Sequence, residues 1–81
     1  MTKQEITEKV NALLVEEFEI AEERLTPEAS LKQDLEIDSL DFVDIVVLIE
    51  REFGFKPQAT ELKSVKTLGA FYDYIEQSLT R

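Results

Sequence analysis

The sequence predicts an all-α fold, a four-helix bundle of three long helices and one short helix with a long first loop. Apolar residues recur at helical spacing in three stretches, and residues that commonly cap or end helices bound those stretches. The chain has 81 residues, which suffices for one domain with a small core. We therefore expect a single domain over residues 1–81.

The second predicted helix is the clearest, and it runs from Ser39 to Phe53. Asp38 and Ser39 can both accept hydrogen bonds from the unpaired amides of a first helical turn, and Gly54 suits a left-handed helix end. One face of this helix is apolar, so we assign it to the core. That face contains Phe42, Ile45, Val46, Ile49 and Phe53.

The rest of this helix combines charge with a narrow apolar edge. The charged face contains Asp41, Asp44, Arg51 and Glu52, and a helical wheel places Leu48 within it. The edge consists of Leu40, Val43 and Val47, and it starts beside Ser39. A hydroxyl at a helix start, flanked by an apolar strip and carboxylates, indicates an attachment and docking site.

Three further helices complete the prediction. The first covers residues 2–17, with Thr2 and Glu5 as a capping box. The short third helix covers residues 58–64, and the fourth is capped by Thr67 and runs to residue 78 or 79. The core stripe of the first helix consists of Ile6, Val10, Leu13 and Leu14, with Phe18 at its edge. The core stripe of the fourth helix consists of Leu68, Phe71, Tyr72, Ile75 and Leu79.

The first loop, residues 19–37, shows no sustained helical period. Thr26-Pro27-Glu28 predicts one short helical turn, with Thr as the cap and Pro at the first position. Four apolar residues are expected to pin the loop to the bundle. They are Leu25, Leu31, Leu35 and Ile37.

Composition excludes several classes of function. The formal net charge is −9, which would repel nucleic acid and complements basic protein surfaces. The chain has no Cys and no His, so it has no thiolate zinc site and no thiol nucleophile. The apolar runs are too short to span a membrane, and the N-terminus lacks a signal-peptide core. We expect a cytoplasmic protein.

The surroundings of Ser39 resemble those of the acyl carrier protein family. The motif Asp38-Ser39-Leu40 follows Asp34-Leu35 and precedes a helix that ends Glu50-Arg51-Glu52-Phe53-Gly54. The likeness runs from about Ile6 to Ile75. It implies that Ser39, flanked by Asp38, is esterified by 4′-phosphopantetheine from coenzyme A, whose thiol carries acyl groups as thioesters. It also implies a carrier and not an enzyme.

The resemblance further implies partners. A phosphopantetheinyl transferase would load Ser39, and acyl-transfer or synthase enzymes would approach the second helix with basic docking surfaces. The expected docking residues are Leu40, Asp41, Val43, Asp44, Val47, Leu48 and Arg51. We expect the carrier to act as a monomer.

The acidic run Asp34, Glu36 and Asp38 resembles the start of an EF-hand loop but does not complete one. The glycine that position six requires is Ser39, and the bidentate glutamate of position twelve is Ile45. Paired carboxylates could also serve acid–base catalysis, but these lie on an open helix face. We therefore expect neither a metal site nor catalytic residues.

Some residues depart from the family pattern. Glu19 and Glu36 stand where many members have glycine, and Arg51 stands where Glu is usual. Three lysines make the third-helix region less acidic than is typical: Lys56, Lys63 and Lys66. These departures leave the pathway open between fatty-acid synthesis and a specialised acyl or polyketide pathway.

Other classes of protein remain as alternatives to an acyl carrier. A D-alanyl carrier shares the same attachment chemistry. A peptidyl carrier does too, although such carriers often have His where this chain has Asp38. The alternative from a different class is a helical interaction domain without a prosthetic group.

Overall fold

The all-α prediction is confirmed by a computed structural model, which describes the backbone of residues 2–80 and, except at Ala59 and Thr80, their side chains. Among these residues the regular structure is helical, apart from one isolated bridge between Ser30 and Thr67. None of the described helices is both long and apolar enough to cross a membrane. The elements are α1 (Lys3–Phe18), a 3-10 helix η1 (Glu22–Arg24), α2 (Ser39–Phe53), α3 (Ala59–Leu62) and α4 (Leu68–Thr80).

Helix α1 begins at the predicted capping box. The Thr2 hydroxyl oxygen accepts a hydrogen bond from the Glu5 N–H at 3.2 Å, and the Glu5 carboxylate accepts one from the Thr2 N–H at 3.1 Å. Two amides without helical partners are thereby satisfied. The predicted stripe faces the core, with Ile6, Val10 and Leu14 buried and Leu13 and Phe18 half-buried.

Helix α4 packs against α1 and supplies a large part of the core. The Thr67 hydroxyl oxygen accepts a hydrogen bond from the Ala70 N–H at 3.2 Å, which confirms the predicted cap. The Tyr72 hydroxyl donates to the side-chain oxygen of Asn11 in α1. Burial raises the pKa of Tyr72, so its hydroxyl stays protonated. The predicted stripe is confirmed, with Leu68, Phe71, Tyr72 and Ile75 buried and Leu79 half-buried.

The long loop between α1 and α2 is fastened to the start of α4 by backbone hydrogen bonds. The Leu31 N–H donates to the Lys66 carbonyl, and the Leu68 N–H donates to the Ala29 carbonyl, both at 3.0 Å. The Gly69 N–H donates to the Pro27 carbonyl at 2.9 Å. A Cβ at position 69 would lie 3.1 Å from that carbonyl oxygen, so glycine permits this close approach.

The apolar residues of this loop enter the core as predicted. Leu31, Leu35 and Ile37 are buried, and Leu25 packs against the cluster while partly exposed. Ala29, which sequence reasoning did not single out, is also buried. A loop with this many buried side chains behaves as part of the packed structure and not as a free linker.

The helical turn predicted for residues 26–28 is wrong. Residues 26–29 form a turn, in which the Ala29 N–H donates to the Thr26 carbonyl at 3.0 Å. Pro27 occupies the second position of this turn, where proline is favoured. The helical turn of this loop lies earlier, at Glu22–Arg24.

The third helix is shorter than the predicted residues 58–64, because α3 ends at Leu62. The Ser64 hydroxyl donates to the Glu61 carbonyl at 2.7 Å, and the Ser64 N–H donates to the same carbonyl at 3.1 Å. These tighter bonds replace the continuing α-helical pattern.

Helix α2 has the predicted boundaries. Gly54 adopts φ 78° and its N–H donates to the Glu50 carbonyl at 3.0 Å, which ends the helix as expected. On the predicted core face, Ile45, Ile49 and Phe53 are buried, while Phe42 and Val46 are half-buried. This face is therefore confirmed.

Two glutamates hold a left-handed backbone conformation that favours glycine. Glu19 follows the end of α1 with φ 55°, and its N–H donates to the Leu14 carbonyl. Glu36 has φ 57° just before α2. A left-handed conformation costs a residue with a Cβ about 1–2 kcal/mol. The chain carries this strain at both ends of its first loop.

Replacing Glu19 by glycine should stabilise the protein. The relief of about 1–2 kcal/mol of strain exceeds the roughly 0.4–1 kcal/mol lost to the greater freedom of glycine in the unfolded chain. We expect Glu19→Gly to raise the unfolding midpoint by about 2–8 °C in a thermal melt. The control is Glu17→Gly, an exposed position inside α1, which should lower it by a similar amount. Equal losses from both substitutions would show that position 19 is not strained.

Candidate functional site

Ser39 is the first residue of α2, and its side chain is exposed. The cap of this helix is Asp38, whose Oδ1 accepts hydrogen bonds from the Leu40 N–H at 2.9 Å and the Asp41 N–H at 3.1 Å. The Asp41 carboxylate accepts in return from the Asp38 N–H at 3.1 Å. Because Asp38 caps the helix, the hydroxyl of Ser39 is available for another purpose.

The chain just before the cap is anchored in the core. Ile37 is buried, and its N–H donates to the Leu31 carbonyl at 2.8 Å. Further back, the Asp34 carboxylate accepts a hydrogen bond from the Ser30 N–H at 2.7 Å. These contacts hold the loop in one conformation where it leads into α2, so the position of Ser39 is set by packed structure on both sides.

The acidic run before Ser39 does not converge on a metal centre. Asp34 is bonded within the loop and Asp38 caps α2, so each carboxylate serves the backbone beside it. Within residues 2–80, no group of three or more carboxylates is arranged to hold a metal ion. Of the two possible caps that the sequence offered, the observed contacts select Asp38.

A groove of about 400 Å³ opens beside Ser39. Its apolar part comes from the first loop, α2 and the segment after α3, and its rim carries three lysines. The lining residues are Ser30, Leu31, Lys32, Ile37, Asp38, Ser39, Phe42, Lys63, Val65 and Lys66. Sequence reasoning missed this groove, because its lysines come from segments about thirty residues apart and meet only through the pairing of the loop with the start of α4.

The short helix α3 ends just before Lys63, which lines this groove, and it is tied to α4 by a tyrosine. The Tyr74 hydroxyl donates to the Glu61 carboxylate at 2.8 Å and accepts from the Gln58 N–H at 3.2 Å. Partial burial raises the pKa of Tyr74, so the donating proton is retained at neutral pH. Tyr74 thus has a structural role that the sequence pattern did not reveal.

The apolar edge of α2 is exposed to solvent. Leu40 is 78% exposed, Val43 60% and Val47 53%, which are high values for aliphatic side chains in a small domain. Asp44 and Arg51 are exposed beside this edge, while Asp41 is partly covered. We call Leu40, Val43, Val47, Asp44 and Arg51 the α2 surface.

Leu48 lies beside Asp44, as the helical wheel predicted, but it is not exposed as a member of a charged face would be. It is half-buried and lines a narrow apolar crevice together with Leu14 and Phe18. The C-terminal turn of α1 lies close enough to α2 to cover this position. A helical wheel could not reveal this, since it shows one helix without its neighbours.

Comparison with known proteins agrees with this arrangement. The family model that describes the phosphopantetheine attachment site matches residues 8–75. The chain is similar to the acyl carrier protein of Thermotoga maritima, with 40% identity over 78 residues that cover 96% of both chains. It is 35% identical over 79 residues to the acyl carrier protein of Thermosynechococcus vestitus, covering 98% of both. That of Saccharopolyspora erythraea is 38% identical over 69 residues, 85% of this chain and 73% of the relative.

These matches define a class of protein that carries substrates and does not transform them. The chain belongs to the phosphopantetheine attachment family of acyl carrier proteins. The predicted resemblance is therefore confirmed, and with it 4′-phosphopantetheine as the cofactor. The residues present fit such a group, since Ser39 offers an exposed hydroxyl at the start of a helix, beside a groove.

Removing the cap of α2 should destabilise the fold without touching Ser39. Asp38→Ala leaves the Leu40 and Asp41 amides without their acceptor, and losing such a cap costs about 0.5–2 kcal/mol. Asp38→Ser should retain most of the stability. Urea unfolding measures the loss, with Asp44→Ala as the control at an exposed position inside the helix, expected within about 0.5 kcal/mol. An unchanged free energy of unfolding in Asp38→Ala would show that the cap is dispensable.

Proposed function

We propose that Ser39 carries the 4′-phosphopantetheine arm, and that the chain holds acyl intermediates as thioesters in fatty-acid synthesis or a related acyl or polyketide pathway. The observation that carries this proposal is the exposed Ser39 hydroxyl at the start of α2, left available because Asp38 caps the helix. Bound there, the arm would supply a thiol to which acyl groups attach. The chain supplies the anchor, the orientation and the surface that partners contact.

The start of α2 suits a phosphodiester. The N-terminal end of a helix presents backbone amides and the positive end of the helix dipole, which both favour an anion. Asp38 opposes the phosphate by like charge, but its Oδ1 is already held by two amides. With the amides of Leu40 and Asp41 taken by Asp38, the helix dipole is what favours a negative group on Ser39.

The chain does not activate Ser39 by itself. It contains no His, no Lys lies next to Ser39 in the sequence, and the carboxylates of Asp38 and Asp41 are bonded to backbone amides. Loading forms a bond from Ser39 Oγ to phosphorus and breaks the diphosphate of coenzyme A. The transferase has to take up the hydroxyl proton and stabilise the leaving nucleotide, so loading depends on a partner enzyme.

We infer that partners dock on the α2 surface. Its three aliphatic side chains are exposed next to Asp44, on a protein whose net charge is −9. Basic enzyme surfaces would be attracted over a distance by the charge and would then cover the apolar edge. Arg51, exposed on the same helix, would weaken attraction to a generic basic partner and is consistent with a dedicated one.

Attachment at Ser39 predicts a simple mass result. After incubation with coenzyme A and a promiscuous phosphopantetheinyl transferase, the wild-type chain should gain the mass of one phosphopantetheine, and Ser39→Ala should gain none. Ser64→Ala, which removes another exposed serine hydroxyl, should be loaded like the wild type. Loading of Ser39→Ala would place the arm elsewhere. An unmodified wild type beside a working control carrier would support the helical interaction domain instead.

Docking on the α2 surface predicts opposite effects of two charge reversals. Asp44→Lys should lower kcat/KM of the transferase by roughly tenfold at low salt, because steering by surface charge changes association by at least that factor. Arg51→Glu should raise it. Both effects should shrink as salt shortens the range of the field to roughly 8 Å.

The control for these reversals is Glu16→Lys, which makes the same charge change as Asp44→Lys at an exposed position on α1. It should affect loading less than Asp44→Lys does. Equal effects of the two substitutions at all salt concentrations would argue that net charge, and not the α2 surface, governs docking.

A further inference from the structure

The groove beside Ser39 is a basic site on an acidic protein. Three of the nine basic residues in the chain line it, namely Lys32, Lys63 and Lys66. The one acidic residue in its lining is Asp38, whose carboxylate is directed to the amides of α2. The local charge thus has the opposite sign to the net charge of −9.

The backbone of the fold holds two of these lysines together. The Leu31 N–H donates to the Lys66 carbonyl at 3.0 Å, and the neighbouring residues Ser30 and Thr67 form a bridge. Lys32 lies two residues after Ser30 on one side of this bridge, and Lys66 directly precedes Thr67 on the other. The Ser64 bonds to Glu61 set the direction of the chain just after Lys63. The rim is therefore built from segments whose backbones are fixed.

Among the residues that the structure describes, none of the three lysines forms an ion pair, whereas Lys3, outside the groove, pairs with Asp73. Three like charges around one groove repel one another, and an anion that enters the groove relieves this repulsion. The floor between them is apolar, formed by Leu31, Phe42 and Val65 among others.

We propose that this groove is an anion-binding site for the group carried on Ser39. This inference rests on the proposed attachment at Ser39. Ser39 itself lines the groove, so a phosphodiester on its Oγ would start at the basic rim, with the apolar floor beside it. The lysines draw that end of the arm onto the protein. An acyl group that ends in a carboxylate presents a second anion to the same lysines, whereas a neutral acyl group presents none.

The test compares the apo protein with three loaded forms: the free thiol, a monocarboxylic acyl group and a dicarboxylic acyl group of equal length. For each form, the thermal midpoint is measured relative to that of the apo protein of the same variant. The groove variant is Lys32→Gln, Lys63→Gln and Lys66→Gln together. The control, Lys9→Gln, Arg24→Gln and Lys56→Gln, changes the net charge equally at exposed positions outside the groove lining.

Loading should raise the midpoint of the wild type and of the control by about 4 °C or more, the size of change that one modest interaction produces in a domain of this length. The groove variant should lose that gain, and Lys63→Arg with Lys66→Arg should keep it. The gain should fall as salt is added. The ³¹P resonance of the diester should also shift between the wild type and the groove variant at matched pH.

The loaded forms distinguish the source of the anion. If the free-thiol form of the groove variant already lacks the rise in thermal midpoint, the lysines bind the phosphodiester. If only the dicarboxylic form lacks that rise, they bind the far carboxylate. Equal gains and an unshifted ³¹P resonance in wild type, control and groove variant overturn the anion site while leaving attachment intact. Intact mass is recorded for each sample, and a wild type that gains no mass overturns both proposals.

Discussion

The backbone pairing between the first loop and the start of α4 is the constraint on which the rest of the site depends. A loop of this length in a small domain would ordinarily be mobile, and closing it costs conformational entropy. The hydrogen bonds between Leu31 and Lys66 and between Ala29 and Leu68 fasten it near its middle. Gly69 lets the two segments approach, because a Cβ there would be only 3.1 Å from the Pro27 carbonyl oxygen. Everything that leads into α2 is positioned from this point.

From that fixed point the start of α2 divides two tasks between adjacent residues. Asp38 satisfies the helix amides with its carboxylate, and Ser39 is left with an exposed hydroxyl. With the cap one residue earlier, the helix end makes no use of the Ser39 hydroxyl. The cap and the exposed hydroxyl are thus on separate side chains.

Features governed by local sequence could be predicted well. The limits of α2 follow from Asp38 and Gly54, and the capping box of α1 follows from Thr2 and Glu5, because each depends on residues within one turn. The motif around Ser39 pointed to the family for the same reason. Because each of these features depends on residues that are close together in the chain, it can be predicted from the sequence alone.

Features that arise between distant segments could not be predicted. The half-buried position of Leu48 depends on α1, and the basic groove depends on the loop meeting the residues after α3. The turn at Pro27 replaced a predicted helical turn, with the carbonyl of Pro27 bonded to Gly69. In each case a tertiary contact decided the outcome, and no periodicity or motif in the sequence reports on such contacts.

Because α3 is held by contacts with α4, the free energy of unfolding differs between α3 and the rest of the fold. A single helical turn is too short to be stable alone, so α3 depends on its contacts, among them those of Tyr74 with Glu61 and Gln58. Breaking those contacts would free α3, while the backbone pairing of Leu31 with Lys66 could stay intact. Helix α3 can therefore open by local unfolding at a lower free energy than is needed to unfold the whole protein.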